Sequence, residues 1–131
     1  QERSFSFVSD VVDPLVKMCF SKEANGEIIN IGPDNNPITI LELAQIIKRL
    51  TGFKGKIIHI PNRPREVKLV ECSADKARRL LGYEAKKDLE EGLSEMVDLI
   101  KERGVKEFEY KLPVEFFNSP LLPQTWKDKL M

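Results

Sequence analysis

Histidine occurs once in these 131 residues, at His59, and cysteine twice, at Cys19 and Cys72. A structural zinc site collects about four nitrogen or sulfur ligands, and no C-x-x-C pair exists here to begin one. The two thiols read as reduced packing residues of a cytoplasmic protein rather than as a disulfide. His59 sits in an apolar run and reads as a packing or surface residue rather than a general base. Net charge is missing as well, with 21 basic residues against 21 acidic ones. A neutral chain projects no broad positive field, so neither nucleic acid nor an anionic membrane surface is expected as a partner. No apolar run reaches the length of a membrane span, and no signal peptide opens the chain. What is present, 41% hydrophobic and 32% charged residues, is the composition of a soluble globular protein of one-domain size.

Patterning along the chain alternates helix and strand signals. Phe5-Ser6-Phe7-Val8 reads as a short strand or extended lead-in. Ser9 is placed to cap a helix with Val11, Val12, Leu15, Val16 and Cys19 on its apolar face. After the turn at Ala24-Asn25-Gly26, the run Glu27 to Gly32 has the character of a buried parallel strand. Thr39 and Glu42 stand at capping-box spacing before Ile40, Leu43, Ala44, Ile47 and Leu50, and Gly52 ends that helix. Lys56 to Ile60 reads as a second strand, stopped by Pro61, and Val67 to Cys72 as extended. Ser73 caps a short helix with Ala77, Leu80 and Leu81 inward, closed by Gly82. Asp88 and Glu91 open a long one carrying Leu89, Leu93, Met96, Val97 and Ile100, closed by Gly104. Beyond Val105 the periodicity ends, and Phe108, Tyr110, Phe116, Phe117 and Trp126 are scattered among Pro113, Pro120 and Pro123. Prolines break helical continuation there, and the aromatics call for a surface to cover.

Covalent chemistry has few candidates. No serine, histidine and carboxylate set can be assembled around one histidine, and no G-x-G-x-x-G turn or Tyr-x-x-x-Lys pair occurs. Anion recognition is better served. Arg3 precedes the first extended segment, and Arg63 and Arg65 flank Pro64. A guanidinium fork matches phosphate oxygens, and two forks can clamp a diphosphate, with Glu66 available to accept from ribose hydroxyls. On composition alone, the same residues also read as solvated loop charges.

Order and spacing add a resemblance. The segment Arg-Ser-Phe-Ser-Phe-Val-Ser-Asp (3–10) is similar to R-x-F-x-Y-V-x-D. Gly-Glu-Ile-Ile-Asn-Ile-Gly (26–32) is similar to G-E-x-x-N-I-G, and a matching Thr-Ile-Leu-Glu-Leu-Ala helix start follows at Thr39. Arg63-Pro64-Arg65-Glu66-Val67 resembles R-P-G-D-V. Ser73 to Glu84 resembles D-x-S-K-A-x-x-x-L-G-W-x-P, and Leu89-Glu-Glu-Gly-Leu closes the series. Over about residues 1–103 the chain resembles the C-terminal portion of the NAD-dependent epimerase/dehydratase group, the extended short-chain dehydrogenase/reductases that act on nucleotide sugars.

The resemblance implies an α/β fold. Residues 1–36 would be the last helix and strand of a Rossmann-type domain, 37–104 a small mixed α+β nucleotide-sugar-binding domain, and 105–131 an irregular aromatic and proline-containing tail. It implies a parent enzyme with NAD and the catalytic pair in another part, and no cofactor or catalytic residue in this chain. Carried over by position, Arg3 and Arg63 would meet the diphosphate of a UDP- or dTDP-sugar and Glu66 the nucleoside sugar. Arg65 replaces the motif's glycine, and Glu66 its aspartate. Opening on Gln1 and passing at once into patterned sequence, the chain reads as a piece of a longer protein. A strand separated from its sheet would leave edge and side chains exposed, which predicts self-association. The competing reading is a stand-alone interaction or nucleotide-sugar-sensing module without catalysis.

Overall fold

The computed structural model describes residues 1–62, 66–104, 106, 120, 122 and 127. Its elements in chain order are β1 (Glu2–Arg3), α1 (Val8–Met18), β2 (Ile38–Thr39), α2 (Ile40–Thr51), α3 (Asp75–Leu81) and α4 (Leu89–Arg103). The expected aromatic tail lies almost wholly outside the described residues.

Local signals account for most helix ends. At α2 the Thr39 hydroxyl accepts from Glu42 N while Glu42 accepts from Thr39 N, so the capping box is closed. Gly52 ends α2 and Gly82 ends α3, both in the left-handed region at φ 68° and 62°, where a side chain would be strained. The Asp88 carboxylate accepts from Glu90 N and Glu91 N at the start of α4. The expected cap at Ser73 is displaced by one residue: Ala74 is the N-cap of α3 and has no side-chain cap bond, while Ser73 Oγ, just before it, accepts from Asp75 N at 3.1 Å.

The expected cap at Ser9 is corrected. Helix α1 begins two residues earlier, at Val8 behind the N-cap Phe7, without a side-chain cap. Ser9 instead donates to Asp10 Oδ1 at 3.4 Å. Pro14 falls in the second turn, where it cannot donate to the Asp10 carbonyl; it is also the buried residue of α1.

Two expected strands do not form. Among the described residues, the backbone of Ile28 to Ile31 pairs with nothing, and neither does that of Ile57 to Ile60. A strand exists only through its neighbour's donors and acceptors, and among the described residues no neighbouring backbone pairs with either run. The sheet present is smaller and elsewhere. β1 pairs antiparallel with β2, Glu2 opposite Thr39 and Arg3 opposite Ile38, and on its other side meets Leu69 in a single parallel bridge.

Packing is correspondingly uneven. Ala74, Ala77 and Tyr83 form the core cluster, with Ile29 and Ile31 packed against it. Helix α1 packs on α3, and α2 on α4. Most of the apolar face assigned to α1 stays in water, as does Ile28 at 87% exposure. Cys19 and Cys72 are free and exposed, not packed. His59 is also exposed.

Candidate functional site

Arg3 leaves β1 toward the segment that follows Glu66. Its Nη1 donates to Glu2 O at 2.6 Å and Lys68 O at 3.2 Å, and its Nη2 to Val67 O at 2.6 Å. Glu2 N also donates to Lys68 O, at 2.8 Å. The structure therefore places Arg3 beside the residue directly after half-buried Glu66. Arg63, the third candidate, lies outside the described residues, as does Arg65. A guanidinium has five N–H groups, of which the Nε–H and one Nη2 proton of Arg3 have no partner among the described residues.

Residues in and beside the quoted motifs clasp one another. Asp10 Oδ2 accepts from Lys86 N and Lys87 N, each at 2.9 Å. Phe7 rests on α4 at Gly92, where an added Cβ would come within 2.8 Å of the ring. Lys87 lies 5.4 Å above the same ring and bonds Glu95 at 2.6 Å, which raises its pKa. Asp34 receives Arg78 through both oxygens, at 3.0 and 2.7 Å, and accepts from Ala74 N at 2.8 Å. The Arg78 fork and then the Ala74 N–H hold the Asp34 carboxyl well below the usual carboxylate range, and the pairing raises Arg78 in return. Lys17 Nζ reaches Leu81 O at 3.1 Å, placing a cation at the C-terminus of α3, where the helix dipole favours it.

Sequence reasoning passed over these structural roles of Asp10, Asp34 and Gly92. For Asp10 and Gly92 the signal available was their place inside the quoted motifs; Asp34 lies two residues beyond one. Their partners lie far along the chain and could not be named from it.

A cleft of about 250 Å³ lies beside the Asp10 clasp, lined by Phe5, Ser6, Asn35, Asn36, Tyr83 and Lys86 among others. Tyr83 is 5% exposed, and its hydroxyl has no hydrogen-bond partner among the described residues. Burial raises its pKa. Among the described residues no cluster of histidine, cysteine, aspartate and glutamate could hold a metal ion, and no helix is long and apolar enough to cross a membrane.

A pyrophosphate cradle uses the free N–H groups of a glycine-rich turn at a helix start. Here the starts of α2 and α4 are already satisfied by Glu42, Thr39 and Asp88.

No protein-family model matches the chain. Individual relatives do. It is 33% identical over 102 residues to a UDP-glucuronate 4-epimerase of Thermodesulfobacterium geofontis, covering 78% of this chain and 31% of that protein. It is 37% identical over 95 residues to UDP-glucuronic acid decarboxylase 3 of Arabidopsis thaliana, covering 71% of this chain and 26% of that protein. Among solved structures, the epimerase Mth375 of Methanothermobacter thermautotrophicus superposes with a TM-score of 0.67 at 36% identity, covering 77% of this chain and 32% of that one. The Bordetella bronchiseptica enzyme WbmF, solved in complex with NAD+ and UDP, gives 0.65 at 28% identity, covering 79% of this chain and 30% of that one.

These relatives and the motif order define a class of protein, the NAD-dependent sugar-nucleotide enzymes with a Rossmann-type fold. The chain belongs to the extended short-chain dehydrogenase/reductase family of epimerases and dehydratases, as part of its C-terminal portion. It spans about a third of the length of the relatives it matches.

Proposed function

We propose that this chain is the nucleotide-sugar-binding part of an NAD-dependent sugar epimerase, dehydratase or decarboxylase, and that it is inactive alone. The carrying observation is the meeting of Arg3 with the segment next to Glu66, in a chain whose relatives are named for UDP-glucuronate chemistry. In this reading Arg3 and Arg63 serve the diphosphate of a UDP- or dTDP-sugar and Glu66 the ribose. NAD and the catalytic residues belong to the remainder of the parent enzyme. Functionally, residues 1–36 complete a Rossmann-type domain, 37–104 bind the nucleotide sugar and 105–131 form a tail. The setting is cytoplasmic, in keeping with free, exposed thiols.

Titration with UDP-, dTDP- and GDP-sugars tests the assignment, by calorimetry or thermal shift. Ligand at a hundred times its dissociation constant should add about 2.7 kcal/mol of stability, and Arg63→Ala should abolish most of that gain. Equal binding by the parent and Arg63→Ala would remove Arg63 from the site.

A second reading, a stand-alone interaction or nucleotide-sugar-sensing module, draws on the exposed apolar face of α1 together with Phe20 and Ile28. Both readings include self-association of the isolated chain through that face and the unpaired run at Ile28 to Ile31. A monomer at high concentration with little hydrophobic-dye binding would refute the self-association.

A further inference from the structure

We propose that Arg3 serves nucleotide binding mainly as a positioning residue, fixing the chain at Glu66 rather than acting only as a phosphate ligand. The proposal rests on the nucleotide-sugar reading above and changes what Arg3 does within it. Three of its contacts go to backbone carbonyls, those of Glu2, Val67 and Lys68. The Val67 and Lys68 carbonyls belong to the two residues that follow Glu66.

Among the described residues, the segment from Val67 to Cys72 has few other backbone ties. Among the described residues its backbone tie is the single bridge of Leu69 to Glu2, with Glu2 N donating to Lys68 O at 2.8 Å. Arg3 adds two charge-assisted bonds to this one rung, and such bonds exceed neutral ones in strength. It thereby determines where the peptide after Glu66 sits. A carboxylate that must accept from a ribose hydroxyl works only if held to within about half an ångström. β1 is itself fixed on its far side, by pairing with β2 and by Ile40 N donating to Gln1 O at 2.9 Å. The guanidinium thus links Val67 and Lys68, the two residues after Glu66, to the strand that meets the start of α2.

Carbonyl oxygens do not neutralise a guanidinium, so Arg3 still attracts phosphate. The two roles separate by ligand, because uridine has the base and ribose but no phosphate. If Arg3 positions Glu66, Arg3→Gln should weaken uridine and UDP by similar factors, about tenfold or more. Arg3→Lys keeps the charge but loses the fork, and should also weaken uridine. Backbone amide NMR signals of Glu66 and Lys68 to Val70 should move in both variants, while those of α2 and α4 hold and report an intact fold.

Loss confined to UDP, with uridine binding and the amide signals of 66–70 unchanged, would overturn the proposal and leave Arg3 a phosphate ligand. Unchanged amide signals with weakened uridine would also overturn it, since the effect would not pass through the segment. If the unaltered chain binds neither uridine nor UDP, the nucleotide reading fails and this role with it. Amide signals that still move in the variants would mark that failure as distinct from an absent clamp.

Discussion

Ala74, Ala77, Leu81 and Tyr83 around α3 are at most 5% exposed, whereas Val8, Val12, Leu15 and Val16 of α1 keep between 47% and 66% of their surface in water. Both helices carry aliphatic residues at helical spacing, so composition does not separate them. The difference is in the polar ties. Around α3, Asp34 takes Arg78 and Ala74 N, Asn30 reaches Ser73 O, and Lys17 reaches Leu81 O. These bring distant segments onto one small core. The outer face of α1 has no such ties among the described residues, and its apolar side chains have nothing to close on. An amphipathic helix thus shows that a surface can be covered, without saying by what.

The largest effect should come from emptying the α3 core. Tyr83→Ala is expected to cost about 3–5 kcal/mol in denaturant unfolding, the range for removing a buried aromatic ring. Tyr83→Phe should be neutral or slightly stabilising, because the hydroxyl it deletes has no partner among the described residues. A loss in Tyr83→Phe as large as in Tyr83→Ala would mean that the hydroxyl is satisfied after all.

Next in size is Gly92→Ala. The new methyl would meet the Phe7 ring, and overpacking of this kind costs about 1–3 kcal/mol. Adding Phe7→Leu to Gly92→Ala should recover part of that loss. Additive effects in the double variant would show that the two positions do not touch.

The Asp34 clasp should appear in the pH dependence. Its carboxyl is held below the usual range when folded, so the unfolded chain takes up the proton first. The stabilisation is complete above the unfolded value of about 4 and is lost as pH falls through the folded value. The Tm gap between the parent and Asp34→Asn should therefore hold steady from about pH 7 to about pH 5 and narrow below about pH 4. A gap that widens with acidification would contradict the assignment.

Smallest of all should be the effect of changing the α1 face. Val12→Ser and Val16→Ser are expected to shift stability by no more than about 0.5 kcal/mol, as surface substitutions do. They should also lower dye binding and self-association. A loss on the order of 2 kcal/mol, as expected for a buried aliphatic residue, would show that the face is covered in solution and that the contrast with α3 is false.

The helices were readable in the sequence because their signals act over a few residues. Thr39 and Glu42, Asp88, Gly52 and Gly82 each satisfy or release backbone groups within one turn, and each is where its spacing puts it. Ser9 misled because Phe7 leads into α1 directly and Asp10, the first acidic residue of the helix, is spent on Lys86 and Lys87. The candidate site was legible as a set of residue types, Arg3 and Glu66 among them. That Arg3 holds the carbonyls of Val67 and Lys68 could not be read, since those partners are more than sixty residues away.

By itself the sequence determined the helices, the caps at Thr39 and Asp88, the closing glycines and the family motifs, because those depend on neighbours along the chain. Only the tertiary structure decided that Ile28 to Ile31 and Ile57 to Ile60 are not strands, that Asp34 closes on Arg78, and that Arg3 faces backbone rather than solvent alone. A strand, an ion pair and a clamp each need a second segment to supply the opposite donor or acceptor, and its presence is a property of the folded chain.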